Sequence, residues 1–426
     1  MKKITLQTFL MLMILTLIKV ETQAQERISA LFFNNDSSSL EIISILRDRQ
    51  NTAFQDPSNP FFSIVDKNQH FALGVGGQIR MVAGSEFGGI VATSTNQGFQ
   101  PSLIPIPYGE NPKSQLRMSA ATSQFFIKMV GKSEKLGAIE TFISLNFQGN
   151  DYTPTFRQAY VKLCGFELGQ TWSSLTDISA LPPTVDYAGP VSIVAVRNPL
   201  IRYSKSFYKE KNTVALSLEF PNVNATYSDY TESTYQAVPD VIGYYQFNWG
   251  EKKNNHIRFT GILRNMAYRD LVGSDTRNKT SWGAQFTSVF MLNSMFKFYG
   301  QAILGKGIGS YLADISTQSL DLVPTINIDG TLDNMEMWGA TASLQCNITK
   351  DLFVSSSYSY SRVYSDSNIN VTSDMYKYSQ YIVANTFWNI TKECTLGLEY
   401  LRGMKNVFSG EMGHSNRVNL LVQYSF

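Results

Sequence analysis

From about His70 to the last residue, apolar and polar side chains alternate in segments of roughly 8 to 15 residues. The last segment is the clearest. Between Ser415 and Phe426, Val418, Leu420, Val422, Tyr424 and Phe426 alternate with Arg417, Asn419, Gln423 and Ser425. Period two gives an extended strand one apolar and one polar face, and a terminal aromatic belongs where a membrane-interface girdle sits. About sixteen such segments are predicted, near 70–81, 114–130, 135–147, 155–163, 166–172, 199–207, 212–220, 239–249, 255–266, 279–291, 295–305, 334–347, 351–364, 376–389, 394–402 and 415–426.

A half-buried strand of a soluble sandwich also alternates, so the connections decide the architecture. Tight links at Gly131 to Glu134, Cys164-Gly165, Tyr208 to Lys211, Gly250 to Asn254, Leu292 to Ser294, Asn347 to Lys350 and Asn389 to Glu393 take turns with long ones. The long links cover 82–113, 148–154, 173–198, 221–238, 267–278, 306–333, 365–375 and 403–414. Strict short-long alternation predicts an all-β, up-and-down transmembrane β-barrel of about sixteen antiparallel strands, with short periplasmic turns.

The N-terminus agrees with export. Lys2 and Lys3 precede an apolar run from Ile4 to Ile18, and Thr22-Gln23-Ala24 offers a small-residue cleavage site. Residues 1–24 are read as a signal peptide, 25–66 as an N-terminal periplasmic segment and 67–426 as the barrel. In the middle part, Ser38 and Glu41 have capping-box spacing, with Ile42, Ile45, Leu46 and Arg49 on one face of a short helix. Two readings stay open for it, a linker that plugs or skirts the periplasmic mouth and a helix that ties barrels together.

Composition adds to this picture. Aromatic residues make up 13% of the chain, with 22 Tyr and 27 Phe, yet mean hydropathy is −0.13. An apolar lipid-facing band offset by a polar lumen gives that mixture. A net charge of +2 carries no strong field for nucleic acid. Cys164, Cys346 and Cys394 have neither metal-site spacing nor the even number of a disulfide framework.

Parity assigns faces. Thr341, Ser343, Gln345 and Asn347 are expected to face the lumen, opposite Trp338, Ala340, Ala342 and Leu344; so are Glu140, Ser144, Asn146 and Gln148, and Ser281, Gln285 and Thr287. His256, Arg258, Thr260 and Arg264 share an inward face, and Arg117, Arg202 and Arg417 are further inward candidates. A one-residue bulge reverses any such assignment. The segment GQTWSSLTDISALPPTVDYAGP, 169–190, followed by Arg197 and Arg202, covers the third long link, which is expected to fold into the barrel near 173–198 and narrow it. Asp177, Asp186 and Arg197 are the charged groups expected to meet a solute there; Trp172 also suits an interfacial girdle.

The chain resembles the DcaP-like trimeric outer-membrane porins of Gram-negative bacteria. The resemblance rests on Leu116-Arg117-Met118-Ser119 with Ser123 and Phe125, on Arg157-Gln158-Ala159-Tyr160-Val161, on Gly169-Gln170-Thr171-Trp172-Ser173 with Asp177, and on Thr184-Val185-Asp186 with Gly189-Pro190. It implies location in the outer membrane, a sixteen-stranded homotrimer, and a narrow arginine-lined lumen passing small anions, dicarboxylates among them. Ala121 and Gln124 stand where the family strand tends to carry further arginines. The family's N-terminus often bears a longer coiled coil, so this trimer is expected to rest on barrel-to-barrel packing.

Guanidinium groups can replace the hydration that a carboxylate loses in a constriction, and they stay charged at any relevant pH. Arg117, Arg197, Arg202 and Arg258 are expected in that role, whereas Glu140, Asp177 and Asp186 would cancel the field by pairing. No cofactor, metal or nucleic acid is expected. Catalysis is disfavoured, because His70, His256 and His414 accompany no G-x-S-x-G or H-E-x-x-H pattern. The rival reading is a surface adhesion or binding barrel acting through Tyr227 to Tyr235 and Lys306 to Asp333.

Overall fold

The computed structural model describes residues 29–30, 37–48, 53–57, 62–66, 70–89, 91, 98–106, 114–250, 253–327 and 330–426. The expected signal peptide, 1–24, lies outside the described residues. Sixteen strands form the wall: β1 (Phe71–Phe87), β2 (Ser114–Ser119 and Gln124–Ser133), β3 (Gly137–Asn146), β4 (Thr155–Leu163), β5 (Phe166–Trp172), β6 (Arg197–Phe207), β7 (Asn212–Glu219) and β8 (Asp240–Trp249). Then come β9 (Asn255–Asp270), β10 (Asp275–Met291), β11 (Phe296–Lys306), β12 (Glu336–Asn347), β13 (Leu352–Tyr364), β14 (Tyr376–Asn389), β15 (Cys394–Val407) and β16 (Met412–Ser425). Each pairs antiparallel with the next, and β16 returns to β1 in a ladder from Asn416↔Phe87 to Ser425↔Gln78. This is a closed antiparallel barrel, which leaves no backbone edge to lipid.

Alternation is visible in the wall. In β9, His256, Arg258, Thr260 and Arg264 are buried inward, while Phe259 and Leu263 are more than half exposed on the outside. Stacked or tilted rings belt the outer face near both ends, Phe247, Trp249, Phe290 and Phe298 at the short-turn end and Trp338, Tyr360 and Tyr378 at the other. Apolar bodies with polar edges favour both membrane interfaces.

The seam is closed at the lower end by backbone bonds between Gly77 and Phe426, N–H to O=C at 2.8 and 2.9 Å. A Cβ on Gly77 would stand 2.5 Å from the Gln124 carbonyl and 2.9 Å from the Phe426 ring, so only glycine permits this approach. Below Phe426, the free side of β1 is taken by the short strand Phe62–Val65, paired from Phe62↔Val75 to Val65↔Ala72.

Some expectations change. β1 runs on to Phe87, past the expected end at 81. The links at 267–278 and 403–414 are not long, because β9 and β10 continue to Asp270 and from Asp275, and β15 and β16 to Val407 and from Met412. At the upper end of β9 protein stands beside the strand, so alternation fades there: a short strand, Thr231–Ser233, pairs with Tyr268–Asp270, and Leu322 and Leu332 pack against Tyr268 and Met266. β2 is interrupted between Ser119 and Gln124, where the Arg80 N–H donates to Ser123 Oγ at 3.0 Å.

Three upper loops turn inward. Leu175 and Val194 from the link between β5 and β6 pack with Tyr311, Leu312 and Ile315 from the link between β11 and β12, against wall residues Ile242, Ile262 and Ile303. Val91, Phe99 and Ile104 from the first link pack with Val191, Tyr381, Val383 and Leu401. At the opposite mouth, helix α1 (Ser37–Leu46) buries Ile42 and Leu46 against Ala72 and Val130. Ala72 has the same parity in β1 as the buried Gln78 and Arg80, so the helix lies on the lumen side of the wall.

Candidate functional site

The link 173–196 crosses the lumen and is tied to opposite walls. On one side Asp177 Oδ2 meets His256 Nε2 at 2.8 Å and accepts from the Thr287 hydroxyl, while Arg258 donates to the Ser174 and Thr176 carbonyls. Gln301 donates to the Ala180 carbonyl at 3.0 Å. On the other side Glu399 accepts from the Val185 and Asp186 N–H groups, both at 2.7 Å, and Arg80 Nη2 donates to the Val185 carbonyl at 2.7 Å. Asp186 accepts from Phe99 N–H at 2.7 Å, Tyr381 OH at 2.9 Å and Gly189 N–H at 3.1 Å. Buried polar groups are costly when unpaired, so these contacts hold the loop firmly.

Both loop carboxyls titrate away from the ordinary range. Burial alone would raise Asp177, but His256, Arg258 and the Thr287 bond outweigh it and hold it low. Burial, and then the adjacent Glu399, push Asp186 up to about 7 despite Arg417 and its hydrogen bonds.

Between this loop and the wall of β4 to β6 lies a cavity of about 240 Å³, lined among others by Arg157, Trp172, Tyr187, Arg197 and the turn at Ala53 to Asp56. The Arg197 guanidinium sits 3.4 Å from the centroid of the Trp172 ring, a cation–π stack in the pair that ends the β5–β6 ladder. Arg157 and Arg80 approach the Tyr187 ring at 5.4 and 5.8 Å. Arg157 Nη2 lies 3.0 Å and Arg197 Nη2 4.0 Å from Asp56 Oδ1. The Nε donors of both arginines are buried and meet no hydrogen-bond partner among the described residues.

Of the nine charged residues singled out in the sequence, Arg197 is the one that lines this cavity. Asp177 and Asp186 are turned to the wall as anchors. Arg202 is paired with Glu167 at 2.5 Å and donates to the Trp172 carbonyl. Arg258 stacks over Tyr244 while holding the loop. Arg264 lies between Asp240 at 2.8 Å and Asp321 at 3.3 Å. Arg417 binds Glu86 and stands over Phe99, with Arg117 3.8 Å from the same Glu86. Glu140 sits lower in the wall beside Lys128, Lys162 and Tyr160. Trp172 is buried under Arg197, not set in a girdle.

Arg157 and Arg80 were not among those candidates. The ladder between β3 and β4 runs from Ser144↔Gln158 to Leu145↔Phe156, leaving Arg157 as an extra residue. That bulge re-aims it: Gln158 and Arg157 are both buried, while Phe156 points outward at 56% exposure. The signal for Arg80 was parity, since Gln78 and Arg80 alternate with the outward Ile79 and Met81.

The DcaP channel of Acinetobacter baumannii matches this fold with a TM-score of 0.72 at 19% identity, over 85% of this chain and 99% of that one. Outer-membrane expressed OmpT of Vibrio cholerae follows at 0.54 and 10% identity, covering 85% and 100%. An anion-selective porin from Comamonas acidovorans gives 0.53 and 10%, covering 84% and 100%. At such identities these likenesses establish the fold alone. No curated protein matches the chain in sequence. The model of the DcaP outer membrane protein family matches residues 58–426, and the chain accordingly belongs to that family, the non-enzymatic porin channels of the Gram-negative outer membrane.

Proposed function

We propose that this channel favours small anions, dicarboxylates among them, through selection at the Arg157–Arg197 constriction. The observation that carries the reading is the convergence of these two guanidinium groups on one cavity of about 240 Å³, each with a buried Nε donor unmet among the described residues. A carboxylate entering there exchanges water for bidentate, permanently charged donors. Arg80 adds positive charge from behind Tyr187. Arg417, Arg202 and Arg264 already face Glu86, Glu167 and the Asp240–Asp321 pair and add little net field, and Arg258 is spent on the Ser174 and Thr176 carbonyls. The anion-selective Comamonas porin shares the barrel fold, in keeping with the reading.

Planar-bilayer recordings test it. In a KCl gradient the wild-type reversal potential is expected on the anion side, and Arg157→Ala and Arg197→Ala are each expected to move it toward cations. Succinate is expected to block chloride current. Cation preference in the wild type, with no effect of either substitution, would overturn the reading; absence of any current would leave a surface-binding barrel. We also propose a homotrimer, as in the trimer form recorded for Vibrio cholerae OmpT, held by the apolar outer faces around Leu116 and Met118, which are 74% and 62% exposed in the single chain.

A further inference from the structure

We infer that the turn Ala53 to Asp56 is an internal competitor for the solute, with the Asp56 carboxylate occupying the arginine site from within the chain. This rests on the anion reading of the constriction and adds the residue that sets its occupancy.

The turn is built to present that carboxylate. Asp56 Oδ2 accepts the Ala53 N–H at 2.9 Å, and Asp56 N–H donates to the Ala53 carbonyl at 3.0 Å. Its other oxygen, Oδ1, is the one facing Arg157 and Arg197. Asp56 is only 6% exposed, although it belongs to a segment outside the barrel wall.

Its neighbours seat it. Gln55 Nε2 donates to the Asp186 carbonyl at 2.6 Å and to Thr184, while the Gln55 carbonyl accepts from Gln78 at 2.7 Å and Gln124 at 3.1 Å. Phe54 sets its ring edge-on to Phe387 and Phe353, with centroids 4.8 and 5.9 Å away.

The turn is also tethered on both sides. Upstream, α1 lies inside the lower mouth and the Asp48 carbonyl accepts from Lys128 Nζ at 3.3 Å. Downstream, Phe62–Val65 is bonded to β1. A tether of this kind keeps the effective concentration of Asp56 at the site high, so a free anion gains entry only by displacing it. One carboxylate faces two guanidinium groups, and displacing it with a divalent anion leaves the site better neutralised. That difference favours dicarboxylates over monovalent anions.

Asp56→Asn keeps the shape and removes the charge, and Gln55→Ala loosens the seat without touching the arginines. In bilayers, both are expected to raise chloride conductance, and Asp56→Asn to lower the succinate concentration for half-block by about 5-fold or more. Unaltered heat-modifiable mobility on gels would show that each variant is folded. If Asp56→Asn leaves selectivity and succinate block unchanged while Arg157→Ala and Arg197→Ala shift the reversal potential, the competitor is overturned and the anion reading stands. If neither set shifts anything, both fall.

Discussion

Arg157 shows how little of a pore site a face assignment by parity captures. It stands in a segment read correctly as a strand, 155–163, yet a one-residue bulge turns it into the lumen. Arg197 stands out in the sequence because it follows the loop segment, but its role depends on Trp172 beneath it and Asp56 opposite. Asp186 carries a pH consequence. With its carboxyl pushed up to about 7 by burial and Glu399, the folded chain keeps a proton that the unfolded chain releases near about 4. More protons are then bound in the folded state, so this contribution to stability is full below about 4 and is lost as pH rises through 7. Attachment of the loop is therefore firmer at pH 5 than at pH 8. Open-channel noise is expected to rise over that interval in the wild type, and to stay flat in Asp186→Asn.

The inward loop 173–196 is the element on which the channel depends, and its anchors lie in strands far along the chain. Glu399 of β15 receives two of its backbone N–H groups, and His256 of β9 receives Asp177. Glu399→Gln replaces a charged double acceptor with a neutral amide, and Asp177→Asn weakens the pair with His256. Losing such a buried contact costs on the order of 1–3 kcal/mol. Each variant is expected to leave the barrel folded but to give larger and less steady single-channel currents. Currents as steady as the wild type's would show that packing of Leu175 and Val194 alone fixes the loop. Gly169 explains part of the family motif at this level: its φ of +130° and the 2.2 Å from an added Cβ to the Ala159 carbonyl admit no side chain. Strands could be read with ends close to those observed where lipid lies outside and water inside. The observed strands 255–270, 275–291, 394–407 and 412–425 extend beyond the alternating segments, because burial no longer alternates residue by residue at their upper ends.

At the scale of the whole molecule, closure depends on β16 meeting β1 with Phe426 against Gly77. Phe426→Ser is expected to lower the yield of folded, heat-modifiable barrel in the outer membrane while leaving the conductance of any assembled channel unchanged. Equal yield would remove Phe426 from the closing step. Alternation and link lengths specify the class of molecule, a transmembrane barrel of about sixteen strands, with its short-turn end and, bulges apart, its two faces. They do so because lipid and water impose their alternation on each strand locally, within a few residues. Which charges remain available depends on the folded arrangement. Glu86 and Arg417, Asp177 and His256, or Asp56 and Arg157 are far apart in the chain, and each pairing removes a guanidinium or a carboxylate from the pore or leaves one facing it. Local alternation carries no record of such pairings, because they arise from three-dimensional register, a bulge and the inward path of loops.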